Sequence, residues 1–141
     1  MKFGGRMKKI VVIDGQGGKI GSLLVGRLKA EAGQNELYAI GTNSIATAAM
    51  MKAGADYGAT GENPVVINCR DADVIVGPVG IVVADALIGE ITPAMAVAIG
   101  QSRAQKVLLP INRCSICVVG ARDLPTADLI DEAIVRFNSI L

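Results

Sequence analysis

The sequence predicts an α/β fold: a three-layer, doubly wound and mostly parallel sheet. Three observations carry that expectation. The unalternated run Ile10-Val11-Val12-Ile13 has the β-branched composition of a strand covered on both faces. It stops at Asp14 and passes through Gly15-Gln16-Gly17-Gly18-Lys19-Ile20-Gly21 into residues at helical spacing. Strand-like and helix-like segments then alternate along the rest of the chain, as they do in a sheet sandwiched between helices. A buried strand feeding a helix through glycines is the opening of a Rossmann-like domain, and the free N–H groups of such a helix start attract anions.

The first helix expected here turns Ile20, Leu23, Leu24 and Leu28 inward and leaves Arg27 and Lys29 for solvent and the helix C-terminus. A second strand covers Glu36 to Ile40 and ends at Gly41; Asn43 or Ser44 then caps a helix over Ile45 to Ala53 that stops at Gly54. A short strand is expected near Ala55 to Gly58. Val65 to Asn68 read as a strand by propensity or as a short helix with Pro64 in its first turn. The helix is preferred, because Asp73 to Gly77 is the better strand and adjacent parallel strands need a crossover. Gly77-Pro78-Val79-Gly80 ends that strand. A helix over Ile81 to Ile88 follows, and Thr92 as cap with Pro93 as first residue starts another running to about Ser102. Lys106 to Leu109 and Ser115 to Val119 read as strands, and Pro125 to Ser139 as a closing amphipathic helix with Ile130, Ile134 and Phe137 inward.

Composition bounds the function classes. The 141 residues suit one domain, taken as residues 7–141, while MKFGGR at residues 1–6 reads as a poorly ordered extension before a second methionine. The chain is 51% hydrophobic yet only 3% aromatic, an excess of small apolar residues that implies surface hidden in a homo-oligomer. A formal charge of +1, with the 14 basic residues scattered, gives no electrostatic case for nucleic acid. The apolar region Val74 to Ile99 carries Asp85, Glu90, Pro78 and Pro93, so a membrane span is not expected. Three cysteines and no secretion signal imply a reduced, cytoplasmic protein.

The ligand site is expected at the glycine turn, Asp14 to Gly21. Counted from Gly15, the dinucleotide fingerprint G-x-G-x-x-G would require glycine where Ile20 stands. The count Gly15-x-x-Gly18-x-x-Gly21 is similar to the looser pattern of short-chain and extended dehydrogenases. A P-loop does not fit, because Gly21 is followed by Ser22 and Lys19 lies inside the loop. An NAD site would place an acidic residue after the second strand, roughly 20 residues past the last glycine, to hold the ribose. The sequence offers the neutral Thr42, Asn43 and Ser44 instead, which favours NADP or another small phosphorylated ligand over NAD. Gly77, Pro78, Val79 and Gly80, at a strand's carboxyl end, and Asn112 and Cys114, in the loop after Pro110, are further candidates for ligand contact. Asp14 repels a bare phosphate, so it either turns into the backbone as a turn-former or acts beside Lys19 or a metal ion.

IDGQGGKIG at Ile13 to Gly21, ADVIVGPVGI at Ala72 to Ile81, GEITPAM at Gly89 to Met95 and KVLLPINRC at Lys106 to Cys114 together resemble a family of short bacterial proteins of unknown function, Rossmann-like in fold. The resemblance runs through nearly the whole chain from Met7. It implies the fold and a nucleotide-class ligand and implies no reaction.

Catalytic signals are sparse. There is no histidine, hence neither the commonest general base nor the commonest metal ligand. The dehydrogenase pair Tyr-x-x-x-Lys is missing, since Thr42 and Gly61 stand four residues after Tyr38 and Tyr57. Asp14, Lys19, Glu90, Arg113 and Cys114 remain as reactive groups near strand ends. Cys114-Ser-Ile-Cys117 runs into a β-branched segment, and a four-coordinate zinc site would have only Cys69 to add, so buried inert thiols are expected, with Cys114 in its loop the exception, and no metal. The residues support a nucleotide-binding or regulatory module first. A small oligomeric enzyme acting on a phosphorylated metabolite comes second, and a structural oligomer third.

Overall fold

The computed structural model describes residues 6–111 and 115–141. In chain order the elements are β1 (Lys9–Asp14), α1 (Lys19–Glu31), β2 (Glu36–Gly41), α2 (Ser44–Lys52), β3 (Tyr57–Thr60), α3 (Glu62–Cys69), β4 (Val74–Pro78), α4 (Pro93–Gln101), β5 (Gln105–Leu109) and α5 (Thr126–Ile140). Five parallel strands lie in the order β3-β2-β1-β4-β5, which confirms the doubly wound α/β expectation. Among the described residues no helix is long and apolar enough to cross a membrane.

The strand period of two distributes β1 between two cores. Ile10 and Val12 pack with α1, α2 and α5, where Leu24, Leu28, Met50, Ile130, Ile134 and Phe137 are buried. Val11 and Ile13 pack on the opposite face with Val65 and Cys69 of α3 and Met95 and Ile99 of α4. β1 pairs with β2 over its whole length, from Lys9↔Glu36 to Asp14↔Gly41. With β4 the register runs from Ile10↔Val74 to Val12↔Val76. The strand order reverses between β1 and β4, and in open α/β sheets ligands bind beyond the carboxyl ends of the strands at such a point.

Local signals explain most element ends. Asn43 is the cap of α2, its side chain accepting from the Ala46 N–H at 2.9 Å, and Thr92 caps α4 by accepting from the Met95 N–H, with Pro93 in the first turn. Residues 65–68 are helical, inside α3. β3 falls two residues later than expected, and Ala55 is instead buried ahead of it. Leu23, expected inward, is 43% exposed; the buried stripe of α1 is Ile20, Gly21, Leu24, Val25 and Leu28.

Two expected elements do not form. Ile81 to Ile88 is not an α-helix: a 3-10 turn at Val79–Val82 leads into successive tight turns. Asp85, Leu87 and Ile88 take left-handed φ of 68°, 57° and 56°, which breaks any right-handed helix. The turns fold Ala86, Leu87 and Ile91 into the second core, with the Asp85 N–H donating to Ile91 O at 2.7 Å and the Ile91 N–H to Ala86 O at 3.1 Å. Ser115 to Val119 is not a strand either. These residues are exposed and end in a turn closed by the Ala121 N–H donating to Val118 O, so β-propensity without a neighbouring strand did not suffice.

Gly77 lies tight against the end of β1, where a Cβ would lie 2.5 Å from the Ile13 carbonyl oxygen and 3.0 Å from Ile81 Cδ1. Gly77→Ala is expected to destabilise the fold by roughly 1–3 kcal/mol, the usual cost of overpacking. Urea unfolding checks this; a change below about 0.5 kcal/mol would show that β4 can shift freely there.

Candidate functional site

The glycine turn is shaped by Asp14. Gly18, with φ of 73°, is the cap residue of α1 and has no side chain to satisfy the free helix amides. Asp14 does so from the end of β1: its Oδ2 accepts from the Gly21 N–H at 2.6 Å, in the first turn of α1, and its Oδ1 from the Gly15 N–H at 2.8 Å. Asp14 is thus a buried turn-former. Burial pushes its carboxyl above its ordinary range, the Gly21 and Gly15 amides pull it back, and Glu90 nearby adds to the upward push.

Glu90 is the residue that sequence reasoning left outside the binding site. It arrives from the turns before α4, and its Oε1 accepts from the Gln16 N–H at 2.8 Å, the Thr42 hydroxyl at 2.6 Å and the Asn43 side-chain amide at 2.9 Å. Asn43 also donates to Gln16 O at 2.9 Å. Glu90 therefore ties the β4–α4 connection to the glycine turn and to the carboxyl end of β2. Burial alone would raise its carboxyl, but the hydrogen bonds from Gln16, Thr42 and Asn43 outweigh it and hold the group below its ordinary range. Gly15 makes this possible, since a Cβ there would lie 2.5 Å from Thr42 Oγ1 and 2.7 Å from Glu90 Oε1.

Asp14, Gly15, Gln16, Gly17, Gly18, Lys19 and Ile20, roofed by Leu87, enclose a hollow of about 70 Å³. Gly21 stands just behind it, where a Cβ would meet Asp14 Cβ at 2.7 Å and Met50 Sδ at 2.6 Å, so this glycine serves packing of α1 on the sheet and on α2. Gly17 faces open space. The N–H groups of Lys19 and Ile20 have no acceptor among the described residues, and the exposed Lys19 makes no ion pair among them. Thr42 and Asn43 join the turn through Glu90, while Ser44 is exposed at the start of α2 and makes no side-chain hydrogen bond among the described residues. Gly77, Pro78, Val79 and Gly80 do not line the hollow: Pro78 ends β4, and Gly80 is buried in the following 3-10 turn. Asn112 and Cys114, with Arg113, lie outside the described residues.

The remaining cysteines differ from each other. Cys69 is buried and its thiol is pushed up to about 11 by burial, an inert group. Cys117 is exposed, contrary to the expectation that it is buried, because the strand that would have covered it does not form. A larger cavity, about 530 Å³, lies elsewhere, between α3 and α4 beside Val66, Val97 and Arg70.

The two site carboxylates contribute to stability with opposite pH dependence. For Asp14, raised above 3.8, the contribution is fully present below that value and is lost as pH rises through the folded-state pKa. For Glu90, lowered from 4.5, it is present above that value and is lost as pH falls through the folded-state pKa. Urea unfolding between about pH 3 and pH 7 should show the stability advantage of wild type over Asp14→Asn narrowing as pH rises. The advantage over Glu90→Gln should narrow as pH falls. Parallel profiles would contradict these environments.

No curated protein and no solved structure matches this chain. A family described as domain of unknown function DUF3842 matches residues 9–141, from the first residue of β1 to the end of the chain, and so spans the glycine turn, Thr42, Asn43 and Glu90 alike. The chain belongs to the DUF3842 family.

Proposed function

We propose that the protein is a binding or regulatory module for a small phosphorylated ligand of the nucleotide class, held at the Gly15–Gly21 turn. The observation that carries this reading is the hollow under Leu87, where the open backbone of Gly17 and the unpaired N–H groups of Lys19 and Ile20 meet beside a lysine with no ion pair among the described residues. At about 70 Å³ it has room for roughly two waters at 30 Å³ each, the scale of a single phosphate group. A phosphate there accepts from the first-turn amides and from Lys19, which offsets the repulsion of Asp14 on the hollow's wall. NADP and NAD remain the cofactor candidates in this reading, and the glycine turn stands at the carboxyl end of β1, where the strand order reverses.

Self-association belongs to the same proposal. Ile88, 94% exposed at the tip of the turns beside the site, and Val135, 68% exposed on α5, are apolar side chains that an oligomer would cover. Light scattering at micromolar concentration should return at least the dimer mass, and a monomer mass refutes self-association.

Binding is tested by thermal shift with NAD, NADP, ATP, GTP, coenzyme A and sugar phosphates. A ligand at about 100 times its Kd adds roughly 2.7 kcal/mol. Lys19, at the first position of α1, opposes the helix dipole, so Lys19→Gln should leave the free protein as stable or more stable by about 0.3–1 kcal/mol. The same variant should bind roughly tenfold to a hundredfold more weakly, as loss of a charge-assisted contact of about 1.5–3 kcal/mol requires. Unchanged affinity removes Lys19 from the site and with it the phosphate assignment.

A further inference from the structure

Glu90 is held through one oxygen only. Oε1 takes all three donors, from Gln16, Thr42 and Asn43, and Oε2 has no hydrogen-bond partner among the described residues. The tether between the β4–α4 connection and the glycine turn uses Oε1 alone, so Oε2 is left as an acceptor. We infer that Glu90 selects the ligand, accepting a free sugar diol through Oε2 and rejecting a sugar that carries a phosphate there. This inference rests on the nucleotide reading of the glycine turn.

The placement supports it. In doubly wound sheets the ribose of a nucleotide phosphate-bound at the first strand–helix turn lies over the carboxyl end of the second strand, and an acidic side chain there takes its hydroxyls. In this chain the end of β2 continues into Thr42 and Asn43, both neutral, and the carboxylate is delivered to them from 48 and 47 residues further along. The donors that would welcome an esterified ribose are turned toward Glu90 instead. A phosphate at that place meets a carboxylate kept ionised by those same donors, whereas a pair of hydroxyls meets an unused acceptor. The tight seating of Gly15 against Thr42 Oγ1 and Glu90 Oε1 fixes the arrangement, because no side chain at residue 15 could share the space. Ala86, Leu87 and Ile91 bury the flanks of the connection, so Glu90 is part of a packed wall.

The test is titration calorimetry of wild type and Glu90→Gln with AMP, 2′-deoxy-AMP and adenosine 2′,5′-bisphosphate. Wild type should bind AMP at least tenfold more tightly than either analogue. In Glu90→Gln the amide presents a donor where Oε2 was, so affinity for the 2′-phosphorylated analogue should rise at least tenfold and the preference for the diol should shrink. Equal wild-type affinities, or an unchanged preference in Glu90→Gln, overturn the selector role while nucleotide binding at the turn stands. Failure of every phosphorylated compound to bind either protein removes the turn as a site and the selector with it. Should Glu90→Gln not fold, equal affinities of wild type for the three ligands still overturn the selector role.

Discussion

The tie between Asp14 and the first turn of α1 is the constraint on which the rest of the structure depends. β1 is the central strand, flanked by β2 on one side and β4 on the other, and Asp14 is its last residue. By accepting from the Gly21 amide, its carboxylate fixes where α1 starts and the direction in which it leaves the sheet. The cap residue Gly18 could not do this, and its left-handed conformation brings the backbone within reach of α2, where a Cβ would lie 2.8 Å from Ala46 Cα. One buried carboxylate therefore sets the strand end, the helix start and the seat of the next helix. The first-turn amides of Lys19 and Ile20 are the ones Asp14 leaves without an acceptor among the described residues.

The second carboxylate works on a different scale. Glu90 joins segments 74 and 48 residues apart in sequence, and it does so against backbone preference, since Leu87 and Ile88 sit at left-handed φ values that bulky side chains disfavour by about 1–2 kcal/mol each. Burial of Ala86, Leu87 and Ile91, together with the three hydrogen bonds on Oε1, offsets that strain. That strain lies in the turns that carry Glu90 to the glycine turn.

Much of this was legible in the residues. The β1–glycine turn–α1 unit, the capping of α2 by Asn43 and the Thr92-Pro93 start of α4 are local signals, encoded within a few residues of where they act. The turns after β4 were not legible, because Ile81 to Ile88 is mostly apolar and includes the helix formers Ala84, Ala86 and Leu87, and nothing local announces the left-handed conformations of Leu87 and Ile88. Ser115 to Val119 misleads for the complementary reason: its β-branched residues state a propensity, and a strand also needs a neighbour. Thr42 and Asn43 were placed correctly beside the turn, but their partner was invisible, since nothing near Glu90 in sequence announces a destination at the carboxyl end of β2.

The strand order also dictates a sequence of events during synthesis. β1, α1, β2, α2 and β3 are consecutive in the chain and form one contiguous half of the sheet, whereas β4 and β5 complete the other half from residues 74–109. Until residue 78 is made, the central strand has one open hydrogen-bonding edge, and Val11 and Ile13 lack the α4 side of their core. The nascent half-sheet is thus the species most exposed to pairing with the wrong strand, and closure depends on contacts between residues more than 60 positions apart, such as Ile10 with Val74.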